Sequence, residues 1–191
     1  MNSLFCNTKP KYECFPFIQI ILICISLVSC NTNHSASNQK SLFELQNNKR
    51  IGVDFINQLD YTEQLNTYTY RNFYNGAGVG IGDINKDGLP DLYFCGNLVG
   101  NKLYLNKGDF KFEDITQQAG VACKDSWTTG VSVADVNGDG WLDIYVCKSG
   151  DPKSKNRNNE LFINNGDQTF TEKAKEYGLA ELGLSNHATV F

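Results

Sequence analysis

Short apolar stretches alternate with polar turns along most of this chain. Each stretch is rich in β-branched or aromatic residues and is bounded by Gly, Asn or Asp, a pattern typical of short strands joined by tight turns. The pattern predicts eight strands, near residues 77–82, 91–95, 102–106, 110–114, 129–134, 143–148, 160–164 and 169–173. Helical periodicity is confined to residues 172–177, and residues 43–75 predict a lead-in segment with one or two strands. The fold class indicated is all-β.

The strand pattern occurs twice because the chain repeats itself. The segment DINKDGLPD at residues 83–91 returns as DVNGDGWLD at residues 135–143, a shift of 52 positions. NKLYLNKGD at residues 101–109 returns as NELFINNGD at residues 159–167, a shift of 58 positions. The difference falls in a polar stretch, where a surface insertion costs little. Four strands in about 55 residues is the size of one β-propeller blade.

The repeat also sets the expected domain boundaries. We predict a first blade over residues 76–128, a second over residues 129–184, and the first strand of a third over residues 185–191. Residues 187–191 take the register of residues 130–134, the strand that precedes the second acidic loop. A closed propeller needs four to eight blades. The sequence therefore predicts a β-propeller of four-stranded blades of which only about two are present, as in a truncated chain.

Two acidic loops follow the first strand of each blade: loop 1, residues 83–91, and loop 2, residues 135–143. Both read D-x-N-x-D-G-x-x-D, in which the glycine permits a sharp reversal and the oxygen side chains can converge, with a carbonyl from position seven. A hard divalent cation relieves the repulsion between such close carboxylates, and flexible all-oxygen ligation suits Ca²⁺ better than Mg²⁺. The predicted ligands are Asp83, Asn85, Asp87, Leu89 and Asp91 in loop 1, and Asp135, Asn137, Asp139, Trp141 and Asp143 in loop 2.

Two other interpretations of these loops compete with a calcium site. An EF-hand needs a bidentate Glu at position twelve, where this chain has Phe94 and Val146 inside predicted strands. Turns rich in Asx side chains with no metal remain the alternative. Two copies that keep every oxygen position, in register with the repeat, favour the metal.

The first thirty residues resemble a targeting segment. Lys9 and Lys11 precede an apolar run over residues 15–28, which at roughly 21 Å as a helix is too short to cross a bilayer core of about 30 Å. We predict a signal peptide over residues 1–29. The run ends in LVSC, which resembles a bacterial lipobox and predicts lipidation of Cys30; an ordinary secretory signal is the alternative. Residues 30–42, rich in Asn and Ser, predict a flexible tether.

Composition argues against several kinds of chemistry. The net charge of −4 does not suit nucleic-acid binding, and two histidines leave little for acid–base catalysis or zinc. His187 is interpreted as a strand residue, and the glycines of residues 76–82 do not open a helix as a dinucleotide site requires. Of the seven cysteines, Cys95, Cys123 and Cys147 lie in the repeats, where we expect small buried side chains or at most one disulfide.

The motifs together resemble a known family. The loops, followed by LYF and IYV, resemble the FG-GAP and VCBS-type repeats of integrin-α-like propellers. With NKLYLN, FEDIT at residues 112–116 and AGV at residues 119–121, residues 50–191 are similar to the cartilage-acidic-protein-like, ASPIC/UnbV-associated lipoproteins of Bacteroidota. The resemblance implies that each acidic loop joins two strands of a blade and holds a calcium ion. The region that gives the ASPIC/UnbV group its name is not within this sequence.

Three functions are compatible with the sequence. The leading hypothesis is an exported binding or scaffold module at the cell envelope, on the outer membrane or the periplasmic face. It would be held to the membrane by lipid on Cys30 and present a surface to a glycan or protein ligand. The alternatives are part of a propeller enzyme acting on polysaccharide, with its catalytic residues in further blades, and a calcium-stiffened spacer. Fold alone does not separate them.

Overall fold

The computed structural model describes residues 41–150 and 156–190. The signal segment, Cys30 and most of the tether lie outside the described residues. The chain divides into two units after Glu44, and every helix and strand named here belongs to the unit that begins at Leu45. Its elements are α1 (Asn48–Ile51), β1 (Val79–Gly82), β2 (Asp91–Phe94), β3 (Lys102–Asn106), β4 (Phe112–Asp114), α2 (Thr116–Ala119), β5 (Trp127–Ala134), β6 (Asp143–Ser149), β7 (Glu160–Asn164) and β8 (Phe170–Glu172).

The strands form two four-stranded antiparallel sheets, ordered β1-β2-β3-β4 and β5-β6-β7-β8. The all-β fold class is confirmed, and all eight predicted strands are present. The two sheets repeat in register: Gly82 pairs with Asp91 in the first, and Ala134 pairs with Asp143 in the second. Each sheet has the strand number and simple up-and-down order of a propeller blade. The first sheet is called blade 1 and the second blade 2.

The main hydrophobic core joins the two blades. It contains buried side chains from β2, β3, β5, β6 and β7, and includes Leu103 and Leu105 of blade 1 and Ile144 and Val146 of blade 2. Each such aliphatic side chain contributes about 1.5–3 kcal/mol when fully buried. The side chains alternate between faces along a strand, which is why short runs of alternating apolar residues suffice to form this core.

An asparagine ties the outer part of each blade to the strands. In blade 1, Asn101 accepts a hydrogen bond from the N–H of Gly96 (2.8 Å) and donates to the hydroxyl of Tyr93 (2.8 Å). The Tyr93 hydroxyl in turn donates to the carbonyl of Val121 (2.7 Å). These buried polar groups satisfy one another, as buried polar groups must.

The same network recurs in blade 2. Asn159 accepts from the N–H of Lys148 (2.8 Å) and donates to the hydroxyl of Tyr145 (2.9 Å), which donates to the carbonyl of Leu179 (3.0 Å). Every member stands at the position that the sequence repeat assigns to its counterpart. The repeat is therefore one of hydrogen bonding as well as of strand order.

Glycine just before β1 and within β5 lets neighbouring segments approach closely. A Cβ added at Gly78 would lie 3.0 Å from the Cα of Gly130, and one added at Gly130 would lie 3.1 Å from the Cα of His187. Gly78, Gly130 and His187 hold equivalent positions in the repeat. Segment after segment therefore stacks in the same way.

Residues 185–190 follow this stacking but differ from the prediction. The segment was expected to be a strand, and the structure assigns none to it. It nevertheless lies against blade 2 as the start of β5 lies against blade 1. Ser185 donates its N–H to the carbonyl of Lys148 (3.0 Å), as Thr128 does to the carbonyl of Gly96 (3.1 Å). The backbone contact of Ser185 is thus equivalent to that of Thr128, although residues 185–190 do not form a strand.

The lead-in segment also corrects the prediction. No strand is present among the described residues of 43–75, where α1 and a series of turns occur instead. Asn66 accounts for much of this, because its side chain bonds the backbone of Thr62, Tyr68 and Thr69 and closes a turn. The aromatic residues that suggested strands, Tyr70 and Phe73, pack instead against Trp127.

The short helical signal after β8 corresponds to a single turn. Tyr177 donates its N–H to the carbonyl of Lys173 (3.1 Å), but residues 172–177 form no helix. The equivalent bond in blade 1, from Ala119 to Ile115 (2.8 Å), belongs to α2. Gly120 closes α2 with a left-handed φ of 77°, the conformation that favours glycine at a helix end.

Candidate metal-binding loops

Loops 1 and 2 connect β1 to β2 and β5 to β6. The glycine at position six has a positive φ in both, 85° at Gly88 and 86° at Gly140, as the predicted reversal requires. The first aspartate draws the loop together. Asp83 accepts the N–H groups of Asp87 (3.1 Å) and Gly88 (2.8 Å), and Asp135 accepts that of Gly140 at the same distance of 2.8 Å.

The asparagine and the second aspartate form a pair within each loop. Asn85 donates its amide N–H to Asp87 (3.0 Å), and Asn137 donates to Asp139 (2.8 Å). The N–H at position seven then donates to the same carboxylate, at 2.8 Å from Leu89 and 2.7 Å from Trp141. The Trp141 N–H, the Asn137 amide and the Lys86 ammonium hold the pKa of Asp139 below its usual value.

The last aspartate of each loop is buried and faces the strands. Asp91 is 1% exposed, and its two oxygens accept the N–H groups of Ile84 (2.9 Å) and Asn106 (2.8 Å). Burial raises the pKa of Asp91, the two N–H bonds oppose that rise, and the nearby Asp87 and Asp83 carboxylates add to it.

Asp143 repeats this arrangement in blade 2. It is 0% exposed and accepts the N–H groups of Val136 (3.0 Å) and Asn164 (2.9 Å). Burial again raises the pKa of the carboxyl group. Asp91 and Asp143 thus each link the start of their loop to the end of the third strand of the same blade, β3 or β7. This structural role was not part of the sequence prediction.

The structure brings some of the predicted ligands together and not others. Asp83, Asn85 and Asp87 share hydrogen bonds, as do Asp135, Asn137 and Asp139, while Asp91 and Asp143 turn towards the strands. Across residues 41–150 and 156–190, no group of three or more His, Cys, Asp or Glu side chains is gathered as a set of metal ligands. Backbone N–H groups and the amides of Asn85 and Asn137 donate hydrogen bonds to these carboxylates.

Loop 1 contacts blade 2 through two side chains, those of Trp141 in loop 2 and Asn164 at the end of β7, for which the sequence predicted no such contact. The Lys86 ammonium lies over the Trp141 ring, 4.0 Å from its centroid, within the range of a cation–π interaction. Asn164 donates its amide N–H to the carbonyl of Ile84 (2.8 Å), across the boundary between the blades. The only signal in the sequence is that position four is Lys in loop 1 and Gly in loop 2.

The remaining candidate residues have plain structural settings. Cys95, Cys123 and Cys147 are buried and free, so they are small core side chains as expected. Burial raises the pKa of all three thiols, to about 12 for Cys95, which disfavours the reactive thiolate. His187 lines a cleft of about 370 Å³ with Tyr70, Asn72, Asn75 and Trp127, among other residues. Within the described part of the chain, no helix is long and apolar enough to cross a membrane.

Comparison with known proteins identifies the repeated region. Residues 83–146, from loop 1 into β6, match the family model of the FG-GAP-like repeat. Cartilage acidic protein 1 of Xenopus tropicalis is 36% identical over 104 residues, and that of Homo sapiens is 40% identical over 73 residues. The matched stretches cover 54% and 38% of this chain but only 15% and 11% of the two relatives. The matched segment is similar to FG-GAP-like repeats, in agreement with the two blade-like four-stranded sheets.

Proposed function

We propose that this chain is part of an exported, calcium-stabilised propeller module that binds a glycan or a protein at the cell envelope. The observation that carries the proposal is the duplication of the acidic loop, at the same place in two successive blades, with every oxygen-bearing position kept. A structural turn needs only a residue that can close it, whereas both loops keep Asp, Asn, Asp and Asp in order.

The oxygen-bearing side chains of each loop are of the types that ligate calcium, although among the described residues they are not gathered as a set of metal ligands. Asp83, Asn85 and Asp87 lie within one hydrogen-bonded turn, and their equivalents in loop 2 do the same. A carboxylate oxygen has two lone pairs, so each oxygen of Asp83, which accepts a single N–H, keeps a pair for a cation. In loop 2, Asp135 Oδ2 accepts one N–H and keeps a pair, whereas Oδ1 accepts two. We propose that these side chains, with the carbonyl groups of Leu89 and Trp141, hold one ion in each loop, while Asp91 and Asp143 hold the loop to the strands through the N–H groups that they accept. The ion would neutralise clustered negative charge and stiffen the connection between the inner strands.

The ligand is proposed to bind where the inner segments meet the lead-in. The cleft beside His187 offers the amide groups of Asn72 and Asn75 and the imidazole of His187, which can donate to and accept from the hydroxyl groups of a glycan. The loops would act by fixing the segments that line this surface rather than by touching the ligand.

Export and anchoring rest on the N-terminal sequence. An apolar run of signal-peptide length ends in LVSC at residues 27–30, so we propose that Cys30 is lipidated and holds the module to a membrane. Incorporation of labelled palmitate into the wild type, but not into a Cys30→Ala variant, is the expected result. Equal labelling of both proteins would contradict lipidation at Cys30.

Calcium binding is tested by calorimetric titration of the full chain after treatment with a chelator. We expect one ion per loop in the wild type and loss of binding in an Asp87→Ala, Asp139→Ala double variant. Asp167→Ala, in an acidic turn outside both loops, is the matched control and should bind as the wild type does. Absence of binding in a wild-type sample that circular dichroism shows to be folded would overturn the calcium proposal.

A further inference from the structure

Position four distinguishes the two loops. It is Lys86 in loop 1 and Gly138 in loop 2, and both have a left-handed backbone, with φ of 59° and 77° respectively. Glycine adopts this conformation freely, whereas a side chain makes it costly. Loop 1 therefore holds a strained lysine where the repeat allows a glycine. Strain of this kind is a reason to examine what the side chain does.

The Lys86 side chain reaches out of its own loop and onto loop 2. Its ammonium lies 4.0 Å from the centroid of the Trp141 ring and 3.2 Å from where a Cβ on Gly140 would be. Gly140 and Trp141 are positions six and seven of loop 2. Two consecutive residues of loop 2 thus lie next to a cation that belongs to loop 1.

We propose that Lys86 sets the cation affinity of loop 2, so that the two loops bind calcium with unequal affinity and loop 1 is the tighter site. This inference rests on the proposed calcium binding of both loops. A fixed positive charge beside loop 2 repels a divalent cation there and offsets part of the negative charge that would attract it. The stack on Trp141 holds the ammonium in place.

The size of the effect follows from the electrostatics of an exposed site. A unit charge and a doubly charged ion several ångströms apart, with a water-like dielectric between them, repel enough to change affinity about three- to tenfold. Both partners are near solvent, so the effect should shrink as ionic strength rises.

Calorimetric calcium titration of full-length variants at low ionic strength tests the proposal. An Asp87→Asn background leaves loop 2 as the intact loop, and an Asp139→Asn background leaves loop 1. In the first background, Lys86→Gln should tighten calcium binding about three- to tenfold, and in the second it should change binding less. Lys86→Arg keeps the charge and should resemble the wild type. Lys175→Gln removes the same charge beyond the far end of β8 and should change neither loop.

A measurement without calcium checks the contact itself. The chain has two tryptophans, Trp127 and Trp141, so its spectrum of ¹⁵N-labelled indole groups has two signals, and Trp141→Phe assigns them. Lys86→Gln should move the Trp141 signal and leave the Trp127 signal in place. An unmoved Trp141 signal would overturn the proposal.

The calcium outcomes separate the two proposals. If each wild-type loop binds calcium but Lys86→Gln changes both loops equally or neither, the affinity role of Lys86 is wrong and the calcium proposal stands. If a folded wild type binds no calcium at either loop, both proposals fail.

Discussion

Blade 1 and blade 2 have the same strand order and many of the same hydrogen bonds, but their charged side chains form different ion pairs. The shared hydrogen bonds include those of the buried aspartate that begins the second strand and those of the asparagine that bonds a tyrosine hydroxyl. Other equivalent positions carry different residues. Gly96 in blade 1 corresponds to Lys148 in blade 2, and Lys86 corresponds to Gly138. The repeat thus keeps the hydrogen bonds of the loops and of the asparagine network, while charged side chains differ between the blades.

The ion pairs show the difference most clearly. Lys102 and Asp114 form a partly exposed pair between β3 and β4, with about a third of each side chain exposed. In blade 2 the position of Lys102 is held by Glu160, which pairs with Lys148 at 2.7 Å. The Lys148 side chain is 1% exposed. The position of Lys102 and Glu160 therefore belongs to a partly exposed ion pair in blade 1 and to an ion pair with a buried ammonium in blade 2.

The largest effect is expected where the blades are alike. The side chain of Asp143 is fully buried and accepts the N–H groups of Val136 and Asn164. Asp143→Ala removes this acceptor and leaves both N–H groups without it. An unsatisfied buried donor costs about 1–3 kcal/mol, so we expect a loss of about 3 kcal/mol in the free energy of unfolding. Urea denaturation in the presence of a chelator measures it.

Asp91→Ala should cost a similar amount, since Asp91 makes the same two bonds in blade 1. Asp143→Asn keeps one acceptor oxygen and should lie between the wild type and Asp143→Ala. If Asp143→Ala cost no more than the exposed Asp167→Ala, the fastening role of this carboxylate would be refuted.

The next effect separates the blades. Lys148→Met keeps the length of the side chain but leaves Glu160 without its ammonium. Breaking a buried pair costs about 3–5 kcal/mol, and because Glu160 is a quarter exposed we expect about 2 kcal/mol. The equivalent break in blade 1, Lys102→Met, should cost about 0–1 kcal/mol because that pair is partly solvated. Urea denaturation of both variants at neutral pH compares them.

Adding Glu160→Gln to Lys148→Met should recover part of the loss, because no unpaired charge is then left. Equal costs for Lys148→Met and Lys102→Met would show that burial does not distinguish the two ion pairs.

A smaller difference is expected at the boundary between the blades. Asn164 donates its amide N–H to Leu142 within blade 2 (3.1 Å) and to Ile84 of blade 1 (2.8 Å). Its counterpart Asn106 donates only within blade 1, to Pro90 (3.0 Å), among the hydrogen bonds of the described residues. Asn164→Ala should therefore destabilise the protein by about 1 kcal/mol more than Asn106→Ala, the net contribution of one hydrogen bond. Thermal unfolding followed by circular dichroism gives the comparison, and a reversed order would contradict it.

The repeat made much of this fold predictable. Eight strands, their order and the position of both loops follow from local alternation and from the shifts of 52 and 58 positions. Contacts set by strand register did not follow. That Asp91 bonds Asn106 depends on how β2 pairs with β3, and a ligand motif looks the same whether its last aspartate faces the loop or the sheet. The lead-in was mispredicted because turns closed by Asn66 carry the same aromatic residues as a strand.

The smallest effect is the pH dependence of the Lys102–Asp114 ion pair in blade 1. Burial alone would raise the pKa of Asp114, but the Lys102 ammonium and the hydroxyl and N–H groups of Thr116 outweigh it, so the pKa lies below its usual value. The unfolded chain then binds a proton at a higher pH than the folded chain does. The stabilisation is therefore complete above the ordinary carboxyl pKa of about 3.9 and is lost as the pH falls through the lower, folded value.

This dependence can be isolated with Asp114→Asn. Urea denaturation between neutral pH and about pH 3 should show a difference in unfolding free energy between wild type and Asp114→Asn that narrows only below the ordinary carboxyl pKa. Lys102→Gln removes the ammonium that lowers the pKa of Asp114, and should shift the narrowing to higher pH. Lys173→Gln, in a surface pair with Glu176 of blade 2, should leave it in place. If the difference in unfolding free energy between the wild type and Asp114→Asn stayed constant at every pH, protonation of Asp114 would not be the cause of the acid destabilisation.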